Sequence, residues 1–260
     1  MNRIAARFAE LRKRKGKGLA LFLTAGFPKL NSTPHLVKSL EEGGADFVEL
    51  GMPFSDPLAD GPIIQESSAR ALENGVTLES ILHDVQTIRR NSAIPIVLMG
   101  YLNPILNFGE RRFFAEAARA GVDGVILPEV PLEEYGRFSA FLEGNGLDGI
   151  LLVTPASPVE RIRAIDMASS GFLYCVSTTG VTGARGSGAP ADYLKKVKSH
   201  SEKNPLMVGF GISTPDDAKA YASVSDGVIV GSALIRFLSS SPSHTDIVDW
   251  VKRYKAILRG

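Results

Sequence analysis

The chain has 260 residues, 44% of them hydrophobic and 22% charged, with 29 basic and 28 acidic side chains and a net charge of +1. That is ordinary globular composition, and a balance this close to neutral gives no electrostatic ground for nucleic acid or a membrane surface as partner. The lone cysteine, Cys175, excludes an intrachain disulfide, and no apolar run approaches the roughly 20 residues that span a bilayer.

In chain order, Ile4, Phe8 and Leu11 recur at helical spacing, which predicts an opening amphipathic helix ending near Gly16. Arg3, Arg7 and Glu10 interrupt its apolar residues, so there is no signal-peptide core, and the basic run over 12–17 reads as solvated charge at the helix end. With a single cysteine, this leads to the expectation of a cytoplasmic protein in a reducing compartment, or a stromal one if the source is a plant, no transit peptide being present. Short apolar runs follow at 19–24, 46–50, 95–100, 123–127, 148–154, 171–176, 206–210 and 226–230. Continuous apolar runs of this length suit strands buried on both faces of a parallel sheet. Between them lie helix starts: Ser157-Pro158-Val159-Glu160 and Thr214-Pro215-Asp216-Asp217 each offer a hydroxyl cap, a proline at the first helical position and an acid soon after. Helix stops are signalled at Gly43-Gly44, Gly75, Gly121 and Gly144. The spacing from the second run to the third is the longest, so a loop and an extra helix are expected there. After Ser239-Ser240-Ser241-Pro242 the tail reads as a last amphipathic helix carrying Ile247, Val251, Tyr254 and Leu258.

Eight strands alternating with helices over about 250 residues predict a (β/α)8 TIM barrel with an extra N-terminal helix, as one domain over 1–260. An open doubly wound sheet is the rival, but the first strand lacks a G-x-G-x-x-G phosphate turn. In a barrel, the C-terminal ends of the strands face one mouth. That gathers Phe22, Thr24, Glu49, Tyr101, Pro128, Glu129, Thr154 and Tyr174 into a constellation of apolar and aromatic groups around carboxylates, suited to a flat apolar ring. Glu49 ends an apolar strand, where a charge is costly unless paired, solvated or used, and Asp60 lies in the Pro- and Gly-rich loop that follows. Taken singly, Glu49 has an ordinary reading as a satisfied structural acid and Asp60 as a turn residue. Gly-rich turns over 180–188, 209–213 and 231–233 follow the last three strands, and barrels often seat a phosphate between the last two such loops. No lysine ends a predicted strand, which argues against Schiff-base chemistry, and His35, His83, His200 and His244 have no metal-ligand spacing, so no metal is expected. What remains is proton transfer, with bond cleavage coupled to it.

The stretch Glu49-Leu50-Gly51-Met52-Pro53-Phe54-Ser55-Asp56-Pro57-Leu58-Ala59-Asp60-Gly61-Pro62, with Gly180-Val181-Thr182-Gly183 and Gly209-Phe210-Gly211-Ile212, closely resembles the alpha subunits of tryptophan synthase. The likeness runs nearly end to end. It implies a (β/α)8 barrel that splits indole-3-glycerol phosphate into indole and glyceraldehyde 3-phosphate. It also implies no cofactor in this chain and a beta-subunit partner, carrying pyridoxal phosphate, in an alpha2beta2 complex. By position in the motifs, the resemblance makes Glu49 the main acid/base and Asp60 the partner of the ring N–H. It puts Phe22, Tyr101, Ile126, Tyr174 and Phe210 around the indole, has Thr182 holding Asp60, and has Gly183, Phe210, Gly211, Gly231 and Ser232 binding phosphate. Pro53, Asp56, Pro57, Asn103, Asn107 and Pro131 match the side that meets the beta subunit. Glu129 departs from the family, whose members commonly have Asp after the fourth strand. Glu49 beside an apolar ring is expected to have a raised pKa, and Asp60 in a polar loop to stay ionised. Other readings are a catalytically weak interaction subunit, a lyase that needs no partner, and another phosphate-binding barrel, the last of which leaves the 49–62 motif unexplained.

Overall fold

Strand and helix alternate from α1 (Arg3–Lys13) and β1 (Gly18–Thr24) through α2 (Thr33–Gly43) to β2 (Phe47–Gly51), and the computed structural model describes residues 2–177, 191–209 and 211–259. Two helices, α3 (Pro62–Glu73) and α4 (Leu78–Arg89), follow β2, as the long spacing there predicts. Next come β3 (Ile96–Met99), α5 (Leu102–Phe108), α6 (Glu110–Ala120), β4 (Gly124–Ile126) and α7 (Leu132–Gly144). The run at 148–154 divides into β5 (Asp148–Gly149) and β6 (Leu152–Val153), before α8 (Val159–Ala168), β7 (Leu173–Val176) and α9 (Ala191–His200). The chain ends with β8 (Leu206–Gly209), α10 (Pro215–Ala222), β9 (Gly227–Val230), α11 (Ser232–Ser239) and α12 (His244–Ile257).

All the strand pairs are parallel, in the order β5-β4-β3-β2-β1-β9-β8-β7-β6. The two ends of that order are the two pieces of the 148–153 segment. Between them the Ile150 N–H donates to Val125 O at 3.1 Å on one side, and Leu151 O accepts from Tyr174 N–H at 3.1 Å on the other. The sheet therefore closes on itself through this one segment, which is the geometry of a TIM barrel.

Pleating sorts the strand residues into two sets. Leu19, Leu21, Leu23, Val48, Leu50, Ile96, Leu98 and Val125 pack outward in the layer shared with the helices. Ala20, Phe47, Val97, Met99, Ile126, Ile150, Phe172, Tyr174, Met207 and Ile229 form an inner cluster together with Ile4, Phe8 and Leu11 of α1. The apolar stripe of the first helix thus plugs the barrel floor, with the Phe8 ring 4.8 Å from Phe47 and 6.3 Å from Phe172. Glu49 is one pleat repeat beyond Phe47 on the same row. The floor is sealed by hydrocarbon, and the next inward position is the acid.

Aspartates pin the N-terminal ends of the strands. Asp46 Oδ2 accepts the Leu19 N–H at 2.8 Å, Asp123 Oδ2 the Ile96 N–H at 2.8 Å, and Asp226 Oδ2 the Leu206 N–H at 2.8 Å. Each carboxylate takes an amide in the first two residues of the neighbouring strand and meets a cation: Lys255, Arg89 and Lys198 respectively. Asp123 is the most enclosed, held at 2.7 Å by Arg89 and 2.9 Å by Arg3. Asp123→Ala leaves Arg89 buried without its counter-charge, so unfolding free energy is expected to fall by about 3 kcal/mol in urea melts.

Helix signals read from sequence hold in part. Thr214 caps α10 with a full capping box, and Gly44 and Gly121 end α2 and α6 in left-handed conformation at φ 103° and 97°. Ser157 is different: Pro158 is the N-cap of α8, and the Ser157 hydroxyl instead accepts the Thr154 N–H at 3.1 Å. The tail helix buries Ile247, Val251 and Tyr254 as its periodicity predicts.

Candidate active site

Glu49 rises from β2 into a cavity at the C-terminal mouth, lined also by Phe22, Asp60, Ile64, Met99, Tyr174, Gly211, Ile212, Ile229, Gly231 and Ser232. Glu49 is 1% exposed, and among the described residues neither carboxyl oxygen has a hydrogen-bond partner. Burial pushes its pKa from 4.5 up to about 8, so the carboxyl is protonated at neutral pH.

A buried acid of this kind leaves a mark on stability. The folded state holds a proton that the unfolded chain releases above about 4.5, so stability falls as pH rises from about 4.5 to about 8 and then levels off. Glu49→Gln is expected to flatten the pH dependence of stability in that window by one proton, about 1.4 kcal/mol per pH unit, as read from denaturant melts at a series of pH values.

Asp60 reaches the same cavity from the loop between β2 and α3. The loop turns tightly, with Asp60 N–H donating to Pro57 O at 3.0 Å, and enters α3 at Gly61-Pro62, a glycine N-cap followed by proline at the first helical position. Burial pushes the Asp60 pKa up to about 6, against the lowering effect of a hydrogen bond from Tyr101. Asp60 is therefore mostly ionised at neutral pH, as the sequence suggests, but half-buried rather than in a freely polar loop. Two carboxyl groups, one neutral and one charged at the same pH, face one cavity.

Close backbone approach positions the aromatic walls. A Cβ on Gly51 would lie 2.5 Å from Phe22 Cζ, and one on Gly209 would lie 2.3 Å from the Tyr174 hydroxyl oxygen, so both rings depend on the missing side chain of a neighbouring strand. Opposite the carboxylates in sequence, Gly231 begins α11 with no side-chain cap, and Ser232 is its first residue. A helix N-terminus without a capping side chain presents amide donors, here at the cavity wall.

The structure thus brings together Phe22, Glu49, Asp60, Tyr174, Gly211, Gly231 and Ser232. Thr182, Gly183 and Phe210, with the turn over 180–188, lie outside the described residues. Two residues expected in the wall are placed differently. Ile126 belongs to the barrel interior without lining the cavity, and Tyr101 packs its ring against Phe54, tilted by 32° with centroids 5.4 Å apart. Thr24 turns away as well, its hydroxyl 2.6 Å from that of Ser67 on α3. Ile64, Met99, Ile212 and Ile229 are wall residues that the sequence reading does not single out. Inward pleat parity, Val97 to Met99 on β3, was the available signal. Of the positions matched to a partner face, Asp56, Asn103, Asn107 and Pro131 are exposed, whereas Pro53 and Pro57 are buried within this chain. Among the described residues, no group of three or more His, Cys, Asp or Glu side chains is arranged to hold a metal ion, and no helix is long and apolar enough to cross a membrane.

A closed parallel barrel with ionisable groups converging at its C-terminal mouth defines an α/β-barrel enzyme. Comparison with known proteins narrows the class. The family model described as tryptophan synthase alpha chain matches residues 8–256. The tryptophan synthase alpha chain of Geotalea daltonii is 50% identical over 261 residues, covering 98% of each chain. That of Geobacter sulfurreducens is 52% identical over 238 residues, 91% of this chain and 90% of the other. Among solved structures, Mycobacterium tuberculosis tryptophan synthase superposes with a TM-score of 0.91 at 34% identity, over 100% of this chain and 99% of that one. The alpha chain from Legionella pneumophila gives 0.88 at 35% identity, over 99% and 97%. The chain belongs to the family of tryptophan synthase alpha chains, the enzyme subunits that carry the lyase reaction of tryptophan biosynthesis.

Proposed function

We propose that the cavity cleaves indole-3-glycerol phosphate to indole and D-glyceraldehyde 3-phosphate, with Glu49 as the acid/base and Asp60 as the electrostatic partner of the ring. The observation that carries this reading is the buried Glu49 carboxyl, unpartnered among the described residues and neutral at pH 7, sharing a cavity with an ionised Asp60. Neutral Glu49 gives its proton to C3 of the indole. Positive charge then spreads to the ring nitrogen, where the Asp60 carboxylate accepts the N–H and opposes the charge. Glu49, now a carboxylate, takes the proton of the side-chain hydroxyl next to C3. The carbon–carbon bond breaks, its electron pair returns to the ring, and the carbinol carbon becomes the aldehyde. Glu49 ends protonated, as it began.

The walls support the same substrate. Phe22, Tyr174, Met99 and Ile229 offer flat and apolar surface to the ring, while Gly211, Gly231 and Ser232 offer backbone amides and a hydroxyl to the phosphate. No residue of this chain is assigned a cofactor in the reading, pyridoxal phosphate belonging to the beta partner. The family implies that partner. An alpha2beta2 assembly, a cytoplasmic location and one domain over 1–260 complete the proposal. Leu58, 87% exposed, and Leu106, 44% exposed, lie near Asp56, Asn103 and Asn107 in sequence and supply apolar surface for a docking face after β2 and β3.

Incubating the purified chain with indole-3-glycerol phosphate, with and without a cognate beta subunit, tests the reading. Indole and glyceraldehyde 3-phosphate are expected in equal amounts, faster with the partner present. Absence of both products in either condition would overturn it.

A further inference from the structure

Tyr101 stands between two features of the mouth. Its backbone is the N-cap of α5, extended at φ −92° and ψ 153°, and its own side chain does not cap that helix. The opening amide, Leu102 N–H, donates instead to the Glu129 carboxylate, which comes from beyond the end of β4. The Tyr101 ring is 8% exposed and lies on Phe54, near the start of the loop that carries Asp60. Its hydroxyl oxygen accepts the Ala59 N–H at 2.9 Å, and its hydroxyl proton is donated to Asp60 Oδ2 at 3.2 Å. One side chain therefore meets the loop at residue 54, at the backbone of residue 59 and at the carboxylate of residue 60.

Elsewhere the buried Pro53 and Pro57 and the turn from Asp60 N–H to Pro57 O hold the main chain of the loop. Ser55, Asp56, Leu58 and Ala59 are exposed. Gln65 of α3 donates to Asp60 O at 2.9 Å, which ties the main chain at the exit but leaves the carboxylate free to rotate. A phenol that fixes both an amide and the adjacent carboxylate determines the loop's path and the direction of Asp60 together, because the hydroxyl has one proton to give and one site already taken.

We propose that Tyr101 is a positioning residue that holds the Asp60 loop against the barrel mouth in the ligand-free protein, and that Glu129 sets Tyr101 by capping the helix it begins. Its catalytic consequence rests on the cleavage reaction proposed above; the restraint on the loop does not. Tyr101 acts through Asp60, presenting the carboxylate to the ring N–H position before substrate arrives.

Amide hydrogen exchange on the full, ligand-free chain tests the restraint directly. In Tyr101→Phe, which keeps the ring and removes the hydroxyl, the peptide containing Ala59 and Asp60 is expected to exchange about threefold to tenfold faster, the protection from one hydrogen bond. Glu129→Ala is expected to change it in the same direction. The double variant is expected to be no faster than Tyr101→Phe alone, since both act on one link. Unchanged exchange in Tyr101→Phe overturns the proposal, and unchanged exchange in Glu129→Ala overturns the part assigned to Glu129. A second readout is the lower limb of the kcat/KM profile for indole release. The titratable groups facing Asp60 are Tyr101, through space Tyr174, and Glu49 in the same cavity. Loss of a donor to the carboxylate is expected to move that limb to higher pH, and an unmoved limb means that Tyr101 does not act through Asp60. If the wild-type chain releases no indole, the proposed reaction fails while exchange still decides the restraint.

Discussion

Glu49→Gln is expected to bind indole-3-glycerol phosphate within a few fold of wild type while lowering cleavage by about 10² to 10⁴, the usual loss when a positioned acid/base is removed. The substitution isolates the proton. Glutamine has nearly the same shape and fills the same inward position on β2, above Phe47 and beside the rings of Phe22 and Tyr174. It carries no proton that C3 can take and no carboxylate to receive the one from the hydroxyl. Binding rests on the apolar walls and on the amides around Gly231, which the substitution leaves alone. Separate titration of ligand binding and single-turnover indole release distinguishes the two effects. Cleavage within tenfold of wild type would remove Glu49 from the chemistry. The same variant is expected to lose the pH-dependent cost of burying an acid, so activity should fall as the pH dependence of stability flattens. A catalytic group kept in an environment that disfavours its charge has this signature.

Why Glu49 was legible while Tyr101 was not is a matter of where the information lies. A lone acid ending an apolar strand is a local contradiction, and the barrel turns that contradiction into a position at the mouth. The eight apolar runs were equally local, since a strand buried on both faces needs hydrophobic residues at every position. The first helix was legible through the spacing of Ile4, Phe8 and Leu11, but its place as the floor of the barrel was not, because that depends on the closed sheet it plugs. The division of the 148–154 run did not show, because the break arises from pairing β4 on one side and β7 on the other. Tyr101 reads from sequence as an aromatic wall. Its hydroxyl finds Ala59 and Asp60 only because two βα loops meet above the sheet, a juxtaposition about 40 positions apart in sequence that no periodicity encodes. Ser157 failed for a related reason: its hydroxyl has a second amide, that of Thr154, within reach, and the tertiary partner won over the cap. The wall residues Met99 and Ile229 look like core because they are core on every side but one.

Asp60→Asn is expected to lower kcat/KM for indole release by about 10² to 10³, the scale found when a group facing developing charge is lost. It is also expected to change the shape of the pH profile. In the wild type, catalysis needs Asp60 ionised and Glu49 protonated. The profile should rise through about 6 as Asp60 loses its proton and fall through about 8 as Glu49 loses its own, giving a bell with its plateau near neutrality. Asparagine still offers an oxygen to the ring N–H but no charge to oppose the cation, so the residual activity should have no rising limb near 6 and keep the falling limb near 8. A variant that retained the rising limb would assign it to another group, and a variant as active as wild type would leave the ring cation without its partner. The two limbs belong to different physical causes. Complete burial raises Glu49, and partial burial opposed by a phenol raises Asp60 less, so a change that solvates the mouth should draw both limbs toward lower pH. The profile therefore reports how well the loop closes off the cavity as well as which carboxyl does what.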